Sequence, residues 1–190
     1  MTDKSPKLYM RDICFISVFT AFTAVCAQIA VPMPVGVPFT LQTFAVPLAG
    51  IILGAKRGAL SALVYILLGI TGVPVFSGFR GGIGVIFGVT GGYIISFPVM
   101  ALFAGISSDL FKRFESLWVR NTILAGGLVL GAAINYISGM LWGKFILDCN
   151  FAHAFNLLVL PYIPTSVIKI ILAWGVGITV KKILVKNKLI

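Results

Sequence analysis

Long uncharged segments dominate the pattern of hydrophobic and polar positions along this chain. No Asp, Glu, Lys or Arg occurs within residues 13–55, 58–79, 81–108 or 121–143. A helix needs about 20 predominantly apolar residues to cross the hydrocarbon core of a bilayer, and each segment can hold at least one such helix. The pattern therefore predicts an all-α integral membrane protein, formed as a single membrane domain over residues 1–190.

Breaks in the apolar pattern divide the chain into six predicted transmembrane helices. The prolines between residues 31 and 38 end the first helix, because Pro lacks a backbone donor and disfavours helix. The Lys56-Arg57 pair separates the second helix from the third. The predicted helices cover approximately these residues: 13–30, 41–55, 58–70, 91–106, 121–145 and 161–180.

Residues 71–90 do not fit an ordinary helix, because they are rich in Gly, nor a solvated loop, because they are too apolar. Irregular backbone at membrane depth is tolerated only where it is buried in protein or lines a cavity. We therefore expect this segment to be buried. In the predicted topology it lies on the external side.

Basic residues cluster at the ends of the predicted helices. The chain has 15 Lys and Arg against 5 Asp and Glu, for a net charge of +10. An N-in/C-in topology, with cytoplasmic segments at 1–10 and 181–190, agrees with the positive-inside rule. These charges are expected to face lipid headgroups and not nucleic acid. The basic residues that this topology places in the cytoplasm are Lys4, Lys7, Arg11, Lys56, Arg57, Lys112, Arg113, Arg120, Lys181, Lys182, Lys186 and Lys188.

Two basic residues depart from this distribution. Lys169 is the lone charge in the apolar run 158–180, and Arg80 is isolated in the Gly-rich segment. A Lys within a membrane span costs a few kcal/mol, so it usually faces a cavity and has a function. In the predicted topology both residues lie towards the external side, where they can share a pocket for a small anion. Alternatively, Lys169 neutralises Asp148 or caps the fifth helix.

The sequence lacks the residue patterns of several functional classes. It contains no G-x-x-x-x-G-K-[ST] phosphate loop and no His, Cys and carboxylate set with metal-ligand spacing. All five acidic residues lie at segment ends, whereas a membrane enzyme or proton-driven carrier normally places a carboxylate within its helices. We therefore expect no enzymatic activity, no cofactor and no metal site.

Three stretches of the chain form long, specific motifs: GVPVFSGFRGGIGVIFGVTGGY at 72–93, VPFTLQT at 37–43 followed by LGAKRGA at 53–59, and YIPTSVIK at 162–169. They resemble the BioY family, the biotin-specific substrate-binding (S) components of energy-coupling factor (ECF) transporters. The resemblance implies six membrane helices and an external biotin site in a multi-pass protein of a prokaryotic-type cell membrane. It also implies assembly with a transmembrane coupling (T) subunit and two cytoplasmic ATPases.

The resemblance also implies site residues. Arg80 occupies the position of a polar residue that helps to bind the biotin carboxylate in related members, and Lys169 matches the Lys of the last-helix motif. Ser166 stands where some members have an Asp that hydrogen-bonds the ureido ring, which is a departure. Three polar residues are candidate substitutes for that contact: Gln42, Asn135 and Tyr93. Four further residues are expected at the pocket: Phe39, Phe79, Gly81 and Gly82.

The first helix carries small residues at the spacing that lets helices approach closely. In the family such a motif docks the coupling subunit, and the matching residues here are Ser17, Ala21 and Ala24. Two alternative functions remain open. One is an S component for a different vitamin, because Ser166 departs from the biotin signature. The other is a stand-alone carrier or channel for a small organic anion.

Overall fold

The structure is a computed structural model that describes residues 10–33, 37–111, 114–187 and 189. It is mostly helical, as predicted, with two short 3₁₀ turns at Ile83–Val85 and Leu160–Tyr162. Lys4, Lys7, Lys112, Arg113 and Lys188 lie outside the described residues, as does most of the predicted N-terminal segment. The described α-helices are α1 (Met10–Gln28), α2 (Gln42–Leu53), α3 (Ala55–Ile70), α4 (Gly91–Ile95), α5 (Phe97–Leu110), α6 (Leu117–Leu147), α7 (Phe151–Leu158) and α8 (Ile163–Lys186).

Four helical segments in the described part of the chain are long and apolar enough to cross a membrane. They are Met10–Gln28, Gly91–Leu110, Leu117–Leu147 and Phe151–Lys186, so that α4 joins α5 and α7 joins α8. The other two predicted spans correspond to α2, with 12 residues, and α3, with 16 residues. Both helices are shorter than the four candidate spans. The structure therefore supports a multi-pass helical membrane protein with four candidate spans.

The short helix α2 is enclosed by its neighbours. Every residue from Ala45 to Leu53 is buried, and α2 packs against α1, α3, α5 and α8. The α5 backbone approaches so closely that a Cβ added to Gly50 would lie 2.2 Å from the Ala101 carbonyl oxygen. Small residues permit this approach between membrane helices. Because other helices surround α2 on several sides, contacts with protein as well as contacts with lipid determine its length.

Ion pairs mark one end of the bundle. Arg57 Nη2 lies 3.0 Å from Asp12 Oδ1, and Lys181 Nζ lies 3.4 Å from Asp109 Oδ1. Asp109 Oδ2 also accepts a hydrogen bond from the Ala55 backbone N–H at 3.1 Å. These contacts join α1, α3, α5 and α8. The start of α2, the start of α8 and the Gly-rich segment lie at the opposite end.

The structure corrects the predicted elements in four places. Ala30–Val31 pairs antiparallel with Phe39–Thr40, a short ladder that the all-α prediction did not include. Helix α7 forms where no helix was predicted. Helix α6 begins at Leu117, four residues before its predicted start, and α8 extends into the predicted cytoplasmic tail as far as Lys186.

The expectation that residues 71–90 are buried is wrong for most of the segment. Phe76, Ser77 and Ile86 are buried against the protein, whereas Phe79 and Phe87 are 73% and 61% exposed. The buried Phe76 ring fits the space left by the absent side chain of a helical glycine in α3, and it packs edge to face on Tyr65. A few buried residues therefore hold the 71–90 segment against the protein, while most of the segment is exposed.

Candidate substrate-binding site

A cavity, partly open to solvent, lies at the end of the bundle where α2 and α8 begin. The walls come from the segment before α2, from α2 itself, the Gly-rich segment, α4, α5, α6 and α8. Six residues predicted from the sequence line it: Phe39, Gln42, Arg80, Tyr93, Asn135 and Lys169.

Four predicted residues lie outside this wall. Ser166 is buried behind it, where its hydroxyl hydrogen-bonds the hydroxyl of the lining residue Tyr136. Phe79 borders an adjoining opening that also includes Arg80. Gly81 and Gly82 lie in the same loop. A Cβ on Gly81 would be 2.6 Å from two backbone carbonyl oxygens, and Gly82 has a φ of 91°, so backbone geometry explains both glycines.

Lys169 reaches the cavity from α8. Its ammonium donates hydrogen bonds to the Thr40 carbonyl oxygen at 2.6 Å and to Thr43 Oγ1 at 3.3 Å. An ammonium has three donors, and the described residues accept from two of them, so one remains for a ligand. The alternative in which Lys169 neutralises Asp148 is wrong, because Asp148 is the C-terminal cap residue of α6 and Lys169 contacts the start of α2.

Arg80 ends a tight turn. The backbones of Phe76 and Arg80 exchange hydrogen bonds of 2.9 and 3.2 Å, and the turn contains Gly78 at φ 72° and Phe79 at φ 54°. Positive φ is uncommon for a bulky residue, so the surrounding contacts must hold it. Arg80 Nε donates to the Ser77 carbonyl oxygen at 3.0 Å. No described residue accepts from its two Nη groups, which can therefore donate to a ligand.

Gln28 of α1 holds this turn in place. Its Nε2 donates to the carbonyl oxygens of Val75 at 3.3 Å and Phe76 at 3.1 Å. Its Oε1 accepts from the Phe79 N–H at 2.9 Å. One amide side chain thus satisfies three backbone groups of the turn and ties it to the first helix. The sequence analysis missed Gln28, although a polar residue in an uncharged span was a usable signal.

Gln42 and Tyr65 support the turn from the other side. The Tyr65 hydroxyl donates to the Val75 carbonyl oxygen at 3.1 Å and accepts from Gln42 Nε2 at 2.6 Å. Gln42 Oε1 in turn accepts from the Thr40 hydroxyl at 2.9 Å. Gln42 therefore lines the cavity while part of its hydrogen-bonding capacity positions Tyr65 and the turn.

Asn135 presents an acceptor. Its Nδ2 donates to the Tyr93 carbonyl oxygen at 2.9 Å and to Ser96 Oγ at 2.7 Å, which uses both amide hydrogens. Within the part of the chain that the structure describes, no donor reaches its Oδ1. The hydroxyl hydrogen of Tyr93 is not available to a ligand, because it is donated to the Leu158 carbonyl oxygen at 2.5 Å. Asn135 Oδ1 is thus available to an N–H of a ligand.

Several lining residues were not predicted. They are Val37, Pro38, Thr40, Thr43, Phe76, Ser77, Val85, Thr90, Ile94, Phe97, Tyr136 and Tyr162. The Tyr162 ring packs on Phe39 with centroids 4.5 Å apart, and its hydroxyl donates to the Val37 carbonyl oxygen. Tyr162 is the first residue of the YIPTSVIK stretch, so the motif did contain a signal for this lining residue. The signal was missed because the stretch was interpreted as the start of a helix.

The described residues that line the cavity carry a net positive charge. Arg80 and Lys169 line it, and none of its described lining residues is acidic. Three of the acidic residues lie elsewhere: Asp12 and Asp109 form ion pairs, and Asp148 caps α6. Cations without a nearby carboxylate favour an anion. The apolar and aromatic remainder of the wall suits a ligand with one charged group on an apolar body.

Comparison with known proteins decides the family. The model of the BioY family matches residues 1–186. The chain belongs to the BioY family. The probable biotin transporter BioY of Pyrococcus horikoshii is 41% identical over 160 residues, which cover 84% of this chain and 89% of that protein. The biotin transporter BioY of Thermotoga maritima is 35% identical over 178 residues, which cover 94% and 100%.

A solved structure shows the same fold. The crystal structure of the S-component for biotin from an ECF-type ABC transporter matches with a TM-score of 0.79 and 25% identity. The match covers 96% of this chain and 95% of that protein. The resemblance inferred from the three sequence stretches is therefore confirmed at the level of both family and fold.

Replacing Tyr65 by Phe tests the support of the Arg80 turn. The change removes the donor to the Val75 carbonyl and leaves the buried Gln42 amide without its acceptor. Since one hydrogen bond contributes about 1 kcal/mol, amide hydrogen exchange in residues 75–80 is expected to accelerate about fivefold. The matched control is Thr71→Val, which removes only the hydroxyl bond to Leu68 at the end of α3. Equal exchange in both variants would contradict the proposed support.

Proposed function

We propose that this protein is the high-affinity biotin-binding S component of an ECF-type vitamin importer. The observation that carries the proposal is a cavity lined by two cations and no described acidic residue, in a chain of the BioY family. Two curated relatives are biotin transporters by name, and the matched crystal structure is an S-component for biotin. Capture of biotin, and not its chemical conversion, is the function that these relationships support.

Arg80 binds the biotin carboxylate in this proposal. Its guanidinium can form two parallel hydrogen bonds to a carboxylate, and its Nη groups have no partner among the described residues. Arg80 is also exposed and borders the outer opening of the cavity. An arriving anion therefore meets this charge first.

The polar contacts to the ureido ring are assigned to Lys169 and Asn135. The remaining ammonium donor of Lys169 suits the ureido carbonyl oxygen, and Asn135 Oδ1 suits a ureido N–H. Ser166 acts through Tyr136, whose hydroxyl it contacts and whose ring lines the cavity. This assignment explains how recognition proceeds with Ser in place of the Asp of some family members.

The proposed topology has six membrane helices with both termini in the cytoplasm. Helices α2 and α3, although short, complete six antiparallel passes together with the four longer segments. Support for the orientation comes from the basic residues, since Lys56, Arg57, Arg120 and Lys181 all lie at the bundle end opposite the cavity. The positive-inside rule then places the cavity on the external side of the cell membrane.

A coupling subunit and two ATPases supply the energy for release in this proposal. The candidate docking surface is the exposed side of α1, where Ser17 and Ala21 are accessible. Ala24 is half-buried and packs against the core cluster of the bundle, so it contributes less to this surface. Small residues at 17 and 21 allow a partner helix to approach closely.

Replacing Arg80 by Gln tests the carboxylate assignment. A charge-assisted hydrogen bond contributes about 1.5–3 kcal/mol, so the Kd for biotin measured by calorimetry is expected to rise about 10- to 150-fold. Biotin amide, which lacks the carboxylate charge, should bind both proteins with similar Kd. The matched control is Lys144→Gln at the same end of the bundle, where the ammonium lies over the Phe151 ring outside the cavity. A change below twofold for Arg80→Gln would refute the assignment.

Replacing Ala21 by Leu tests the docking surface. The larger side chain on the exposed side of α1 should reduce co-purification of the coupling subunit at least tenfold, because it prevents close helix approach. Biotin binding by the isolated chain should stay within twofold. Val129→Leu enlarges an exposed position on α6, away from this surface, and serves as the control. Unchanged assembly in Ala21→Leu would rule out this surface.

A further inference from the structure

A second cavity lies at the opposite end of the bundle, between the start of α6 and the end of α8. None of its lining residues belongs to the biotin site. Its floor is apolar and consists of Ile51, Phe111, Leu124, Ile178 and Val185. Its polar lining residues are Ser108 and four cations: Arg120, Lys181, Lys182 and Lys186. We refer to this surface as the basic groove.

Arg120 has an unmet hydrogen-bonding requirement in the groove. Its guanidinium carbon lies 4.1 Å from the centroid of the Phe111 ring, a cation–π geometry that fixes the side chain. Its Nε is buried and has no hydrogen-bond partner among the residues that the structure describes. A buried donor without an acceptor destabilises the folded protein. An acceptor on a ligand would remove this cost.

The positive charge of the groove is only partly balanced. Lys181 pairs with Asp109 and also donates to Ser108 Oγ at 2.7 Å. For Arg120, Lys182 and Lys186, no carboxylate of the described residues lies within 4.0 Å of the side-chain nitrogens. The groove therefore combines an apolar floor with four cations, of which only Lys181 pairs with a carboxylate of the described residues.

The groove lies at the level of a membrane interface. Leu117 and Trp118, in the first turn of α6, are 67% and 85% exposed. Trp is enriched where the hydrocarbon core meets the headgroups, so Trp118 marks this level. Arg120 follows within the same turn of the helix. The cations are thus placed where lipid phosphates occur, and the apolar floor continues towards the hydrocarbon.

We propose that the basic groove binds an anionic phospholipid, with the headgroup phosphate on the cations and the acyl chains along the apolar floor. Basic pockets between membrane helices are a known mode of anionic lipid recognition. A free phosphate ion would use the cations but leave the apolar floor uncovered. The lipid satisfies Arg120 and covers the floor at once, and its binding does not depend on the biotin site.

The test uses the purified full-length chain, delipidated in an uncharged detergent. Dioleoylphosphatidylglycerol and dioleoylphosphatidylcholine are added separately, and bound lipid is counted by native mass spectrometry. The wild-type chain should retain phosphatidylglycerol in preference to phosphatidylcholine. Arg120→Gln combined with Lys186→Gln should weaken phosphatidylglycerol binding about fivefold per cation removed. Lys182→Gln with Lys186→Gln leaves Arg120 in place and provides a second variant if the first does not fold.

The matched control is Lys56→Gln, an exposed cation at the same bundle end but outside the groove. It should keep the lipid preference within twofold, and unfolding midpoints without lipid show that each variant is folded. Equal retention of the two lipids by the wild-type chain would overturn the proposal. So would an equal loss in Lys56→Gln, or displacement of phosphatidylglycerol by millimolar inorganic phosphate. Variants that keep the lipid preference but lose the coupling subunit would assign the groove to a protein partner instead.

Discussion

The central constraint in this protein is that two cations share one cavity without a carboxylate among its described lining residues. Charge inside a membrane protein is costly unless dipoles or counterions stabilise it. Here neutral groups stabilise the two charges only in part. Carbonyl oxygens accept hydrogen bonds from Lys169 and Arg80, and a hydroxyl oxygen accepts one from Lys169. The protein thereby keeps a positive potential in a pocket with largely apolar walls. A ligand that combines one carboxylate with an apolar body completes this arrangement.

Hydrogen bonds between distant parts of the chain hold the two cations in position. Lys169 connects α8 to the start of α2, whereas Arg80 depends on a turn that Gln28 and Tyr65 hold from α1 and α3. The positions of the two cations therefore depend on five elements: α1, α2, α3, α8 and the turn itself. Helix α1 has two separate roles, because it positions the Arg80 turn with Gln28 and exposes small residues on its outer side.

Sequence reasoning located the two cations because each was an isolated charge in an apolar segment, where few purely structural roles exist. It failed for Gln28, Tyr65 and Tyr136. Neutral polar residues also occur in membrane helices as ordinary packing, so only their contacts reveal their roles. The enclosure of α2 by its neighbours was likewise not predicted. Its enclosure depends on close contacts such as that of Gly50 with α5, which hydrophobicity alone does not indicate.

The most direct measurement is equilibrium binding of biotin to the purified chain in detergent, with thiamine, riboflavin and lipoate measured in parallel. Biotin is expected to bind tightly, and the other three are expected to bind at least 100-fold more weakly. Lipoate is the most informative competitor, because it also joins a carboxylate to a sulfur-containing ring but has no ureido group. Binding of lipoate as tight as that of biotin would contradict the assigned ureido contacts. Absence of biotin binding would contradict the central claim.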